Sequence, residues 1–126
     1  MNRERALKIL LVVVGLLFSA LVYPMVTFLR PPSQTDALPM MLSLYVALGI
    51  FLLVAARNPA ANRSLIAFTA WSSFAHAAVM VVQAFHDVGE RVHLLIGVAA
   101  LVVIGVALIA LAPVKESGER ASAAAA

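Results

Sequence analysis

The sequence predicts an all-α four-helix transmembrane bundle, running up-down-up-down, and three observations predict it. First, 63% of the 126 residues are hydrophobic and 12% charged, where an average soluble domain carries about 25% charged residues. Too few polar side chains exist to clothe a water-facing surface. Second, the runs 9–29, 37–56, 65–85 and 92–112 contain no Asp, Glu, Lys or Arg. At about 1.5 Å per residue each spans a hydrocarbon core of ~30 Å. Third, connections of seven, eight and six residues are too short to return a helix across a bilayer, so consecutive helices are antiparallel neighbours. Spanning strands are excluded, because a barrel needs many more segments with alternating rather than continuous apolarity.

The expected organisation is a membrane domain over residues 1–115, with helices at about 5–29, 37–56, 62–86 and 88–112, followed by a polar and alanine-rich disordered tail at 116–126. Helix one follows Arg3, Arg5 and Lys8 and reads as a retained anchor. Its apolar run exceeds the ~7–15 residues of a signal-peptide core, and no small-x-small cleavage site follows it. Pro24 frees the Ala20 carbonyl and predicts a kink, and Arg30-Pro31-Pro32 ends the helix, since proline lacks an amide donor and disfavours helical dihedrals in the residue before it. Asp36 is placed to cap helix two. Asn58-Pro59 ends helix two and is placed to cap helix three, with Asn62 and Ser64 competing for that role. Asp87 and Glu90 have the spacing of a capping box and open helix four.

Arg3, Arg5, Lys8, Arg57, Arg63, Lys115 and Arg120 fall on one side of this topology, and Arg30 and Arg91 on the other. The positive-inside rule then places both termini in the cytoplasm, with the 30–36 and 86–91 turns outside. The net charge of +3 and the sequence pI near 10.0 are therefore a topology signal. No basic stripe interleaved with aromatics exists, so nucleic acid is not an expected partner. The absence of cysteine excludes disulfide frameworks, thiolate metal sites, iron–sulfur ligation and thiol redox relays.

His76, mid-way along helix three, is the one ionisable residue at the centre of the membrane and is a functional candidate on that ground. At 100° per residue, Thr69, Ser72, Met80 and Gln83 share its face, which should point inward. Ser19 and Tyr45 lie at matching depth on helices one and two. The bland reading is a neutral imidazole sharing hydrogen bonds with such neighbours. The other reading is a shallow cavity opening outward, with Tyr45 and His76 at its floor and Tyr23, Thr27, Met40, Met41, Gln83 and His86 above them. Its expected ligand-binding residues are His76, Tyr45, Tyr23, Gln83 and Ser19. Gly15, Ser19, Tyr23 and Thr27, four residues apart, form a small and polar stripe suited to close helix approach, with Gly97 and Gly105 a sparser version in helix four.

His86, Asp87, Glu90 and His93 offer oxygen and imidazole ligands of the kind zinc takes. The two carboxylates already have a capping role, so no metal site is expected there. Bis-histidine haem needs two imidazoles facing each other at one depth, and His76 has no such counterpart. No cofactor is expected. Trp71 lies ~140° around the helix from His76 and should meet lipid or a neighbouring subunit. No phosphate-binding loop, zinc-protease helix or nucleophile elbow is present.

The stretch from Pro39 to Gly49 (PMMLSLYVALG), the segment Ala55-Ala56-Arg57-Asn58-Pro59 and the stretch from Ser64 to Ala77 (SLIAFTAWSSFAHA) resemble a family of small bacterial four-helix membrane proteins known as a domain of unknown function. That resemblance implies a bacterial inner-membrane protein and brings with it no activity, substrate or catalytic residue. The likeness to small multidrug transporters is one of size alone, since helix one here has no carboxylate to couple protons to a cation. The expected role is a non-enzymatic structural or accessory component, embedded in the lipid bilayer and associating as a homodimer or in a larger membrane complex. The alternative is a small-ligand binding or transport module built around His76. An enzyme is disfavoured, because no acid, base and nucleophile set lies inside the bilayer.

Overall fold

The computed structural model describes residues 2–29 and 37–113. The described chain is helical, in the order α1 (Arg3–Ser19), α2 (Val22–Leu29), α3 (Ala37–Ala55), a short 3₁₀ turn (Pro59–Asn62), α4 (Arg63–His86) and α5 (Arg91–Leu111). α1 and α2 together make one span, so four segments are long and apolar enough to cross a membrane. In the most apolar window of each span only 17–28% of residues are buried inside the molecule. Most of the apolar surface therefore faces outward, the reverse of a water-soluble fold and the condition a lipid solvent requires. The Arg30-Pro31-Pro32 stop, the Asp36 cap and the 116–126 tail lie outside the described residues.

Pro24 breaks the first span as expected, and the backbone shows how. Ala20 and Leu21 leave the α-helix: the Leu21 amide donates to the Phe18 carbonyl at 3.1 Å, and the Tyr23 amide donates to Ala20 O at 3.2 Å. The carbonyl that proline leaves without its α-helical donor is thus satisfied by a tighter, 3₁₀-type bond. At the α3–α4 connection, Asn58 Oδ1 accepts from the Ala61 amide at 3.3 Å and Pro59 occupies the first position of the 3₁₀ turn. The expected cap is present but opens that turn, and α4 starts after it at Arg63. The capping box forms by half. Asp87 Oδ1 accepts from the Glu90 amide at 3.1 Å, whereas Glu90 makes no side-chain cap and α5 begins at Arg91 rather than at residue 88.

The helices pack as two hairpins. α1 and α2 lie along α3, and α4 lies along α5; the two pairs meet through α1 against α5, while α3 and α4 touch only sparingly. Leu7, Leu11, Val14 and Phe18, spaced as one helical stripe, enter a core with Leu52, Ile66, Ala70 and Leu108. That core sits toward the end of the bundle where α1 starts and α5 ends.

Close approach is set by glycine. A Cβ on Gly49 would lie 2.6 Å from Ser19 N and 2.8 Å from Gly15 O, so only glycine lets α1 and α3 touch backbone to backbone. Of the small stripe, Gly15 and Ser19 serve this crossing. Tyr23 does not, being 77% exposed, and Thr27 donates to its own Pro24 carbonyl at 2.7 Å. In α5, Gly97 receives Met80 and Gly105 receives the Phe74 ring, so both glycines are used within the chain.

Guanidinium groups close the helix ends. Arg3 donates to Ala110 O at 2.9 Å and Ala112 O at 3.1 Å, and Arg63 Nε to Pro113 O at 3.1 Å, satisfying carbonyls at the C-terminus of α5. Arg91 Nε does the same for Ala84 O of α4 at 2.8 Å. These carbonyls have no intrahelical donors and carry the negative end of the helix dipole.

Candidate functional site

Three rings from three helices stand in a row at mid-depth. Phe18 of α1 meets Tyr45 of α3 at a centroid distance of 5.0 Å, and Tyr45 meets His76 of α4 at 5.4 Å, each pair at 86°. The edge of one ring addresses the face of the next, the arrangement the aromatic quadrupole favours. Tyr45 and His76 are each within about 2 Å of the centre of their helices along the axis. Among the described residues, neither side chain makes a hydrogen bond.

Both line a groove of about 450 Å³ where α3 and α4 stand apart. Met41, Leu44 and Leu48 wall it on one side, and Phe68, Ala75 and Val79 on the other. Leu44 is 73% and Phe68 62% exposed. The groove therefore opens sideways between the two helices, where the bilayer lies, and not toward the outer end of the bundle as the sequence reading expects. Ser72 also lines it but donates its hydroxyl to the Thr69 carbonyl at 3.1 Å. Thr69 and Ser73 likewise bond back to their own helix, at 2.8 and 2.7 Å. The hydroxyls expected to share hydrogen bonds with His76 are thus occupied by the α4 backbone.

The other candidates lie elsewhere. Ser19 is in the α1–α3 crossing, with its Oγ buried and, among the described residues, without a hydrogen-bond partner. Tyr23 projects outward, and Gln83 is exposed, bordering with His86, Asp87 and Glu90 a separate open depression at the α4–α5 turn. Met40 is exposed and away from the groove, which only Met41 reaches. Among the described residues, no three His, Asp or Glu side chains come close enough to share a metal ion, so His86, Asp87, Glu90 and His93 do not form a ligand set. What faces His76 is Tyr45 rather than a second imidazole. Trp71 is largely exposed, its ring 5.7 Å from Phe74.

Sequence reasoning reached Met41 and Ser72 but missed Phe18 and the Leu44, Leu48, Phe68, Ala75 and Val79 parts of the groove walls. A signal existed: Met41, Leu44, Tyr45 and Leu48 form one helical stripe, and Phe68, Ser72, Ala75, His76 and Val79 another. What was lacking was the rotation that turns the two stripes toward each other.

The sequence profile of a family of unknown function, DUF6632, matches residues 3–125. The chain belongs to this family. No curated protein and no solved structure matches it. The resemblance carried by the Pro39–Gly49 and Ser64–Ala77 stretches thus extends over nearly the whole chain. With its four membrane-spanning helices, this member of DUF6632 is a multi-pass membrane protein.

Chemically, the groove offers a phenol hydroxyl and an imidazole inside an apolar trough. Among the described residues, its lining includes no carboxylate, thiol, ammonium or guanidinium group. Such a set can orient a neutral guest by one or two hydrogen bonds.

Proposed function

We propose that the protein is a non-enzymatic accessory component of the bacterial inner membrane that holds a bilayer-dissolved molecule in the groove between α3 and α4. One observation carries the reading. Tyr45 and His76 stand at the membrane centre without a hydrogen-bond partner among the described residues, on the wall of a groove open to lipid. Acyl chains supply no such partner, and polar groups left unmatched in hydrocarbon are costly. A guest with hydrogen-bonding atoms at that depth recovers the lost interaction. The concentration of Arg3, Arg5, Lys8, Arg57 and Arg63 at the end bearing both termini supports a cytoplasmic location for that end, which reporter fusions at either terminus test.

Ala75 is exposed on the groove wall, so Ala75→Trp fills the trough without entering the core. Wild type purified in mild detergent should carry a small molecule, identifiable by mass spectrometry. Ala75→Trp should lose it while keeping wild-type helicity and a single size-exclusion peak. Equal amounts of the same small molecules in both preparations, or none in either, would overturn the reading.

A further inference from the structure

Resting on the groove reading, we infer that the guest is a neutral lipid with a flat, carbonyl-bearing ring and an apolar tail, the chemistry of a tailed quinone. Charge, depth, hydrogen-bond sense and shape converge on this class.

Neither wall of the groove carries an ionised residue, and the runs 37–56 and 65–85 contain none. An ionic head would have no counter-charge here. Tyr45 and His76 lie near the middle of a hydrocarbon layer of ~30 Å, so the headgroup region is ~15 Å away in either direction. A phospholipid or fatty acid held by its head presents only methylenes at this depth and leaves both side chains unmatched. A ketone oxygen is neutral and weakly hydrated, and it can reside at the centre of the bilayer.

The hydrogen-bond sense also fits. Tyr45 donates through its hydroxyl, and a neutral imidazole donates from one nitrogen and accepts at the other. A ring carbonyl accepts from both residues, and the two carbonyls of a quinone offer an oxygen at either edge. Shape adds the third dimension. Phe18, Tyr45 and His76 already alternate edge to face at 86°, and another flat ring continues the row in the same geometry. The groove's volume of about 450 Å³ falls within the range of small-molecule sites. It takes a ring system and the first part of a tail, and the rest leaves sideways past Leu44 and Phe68 into the acyl chains.

The test uses the full chain in lipid nanodiscs and two probes, 2-decyl-1,4-naphthoquinone and its carbonyl-free counterpart, 2-decylnaphthalene. Binding is read from the ¹⁵N resonances of the His76 ring, assigned by their loss in His76→Phe. The quinone should produce a saturable shift with a Kd about tenfold or more below that of the hydrocarbon. Tyr45→Phe should weaken the quinone about five- to tenfold, the scale of one hydrogen bond, and leave the hydrocarbon unchanged. The wild-type comparison of the two probes needs no variant, so the proposal remains testable if Tyr45→Phe misfolds. Equal affinity for both probes would refute the carbonyl-bearing class and leave an occupied groove standing. No saturable shift with either probe overturns the ligand class; if wild type also yields no Ala75-sensitive small molecule, the groove reading falls with it.

Discussion

Replacing Gly49 and Gly97 by alanine is the same chemical change at two helix crossings, yet the structure assigns the two substitutions opposite outcomes. At Gly49 the added methyl would lie 2.6 Å from Ser19 N, 2.8 Å from Gly15 O and 2.8 Å from Ser19 Oγ. Two of the three obstacles are backbone atoms of α1, which no rotamer change can move. Ordinary contact begins near 3.4 Å, so α1 and α3 must separate by about 0.8 Å at their tightest point. Overpacking of this kind costs about 1–3 kcal/mol, and the helix preference of alanine over glycine returns about 1 kcal/mol. With two of the three obstacles fixed in the backbone, the overpacking lies in the upper part of that range and the net expectation is a loss of about 1–2 kcal/mol. At Gly97 the methyl would meet the terminal Cε of Met80 at 2.5 Å, with Sδ already back at 3.5 Å. A flexible thioether end swings aside at little cost, so Gly97→Ala should be neutral or more stable by up to about 1 kcal/mol. Unfolding titrations in mixed micelles, read by far-ultraviolet circular dichroism, measure both. Because Tyr45 is one turn from Gly49, Gly49→Ala should also shift the Tyr45 ring signals as α3 moves away from Phe18. A Gly49→Ala protein as stable as wild type, or a Gly97→Ala protein damaged as badly, would show that these crossings are not what holds the hairpins together.

Pro24→Ala restores the amide missing from the first span. It should extend slow hydrogen exchange through Ala20 and Leu21, where the helix is now broken; exchange there as fast as in wild type would mean that another feature causes the break. Tyr45→Phe removes a hydroxyl that makes no hydrogen bond among the described residues, so in the absence of any guest the stability should change by less than about 1 kcal/mol. A larger loss, in the range of a buried partner left unsatisfied, would reveal a partner for that hydroxyl within the protein.

The spans were legible because crossing a bilayer depends on local composition, and the uncharged runs gave the limits of the last three to within about a turn, whereas the first helix begins at Arg3, well before its run opens at residue 9. Tyr45 and His76 could be paired by depth because the helical rise is fixed, so counting residues from each helix centre is enough. Rotation was harder. A helix that is apolar all round carries no amphipathic stripe to orient it, so nothing in the sequence said that Gly97 would receive Met80 or Gly105 the ring of Phe74. The hydroxyls of Thr69 and Ser72 were misread for a different reason, one that Ser73 shares. In hydrocarbon the nearest acceptor is the carbonyl one turn back, and all three took it. The outer polar inventory of Tyr23 and Gln83 failed as a cavity lining because matching depth does not imply matching azimuth.

The Arg3 bonds to Ala110 and Ala112 join positions more than a hundred residues apart. A chain inserted from its N-terminus lacks those acceptors until its last span has been made. Until then the first helix, though it already has α3 beside it, lacks the α5 neighbour that flanks it in the finished molecule. The α5 segment therefore acts as a clasp on α1, closed only after the spans between them have been made.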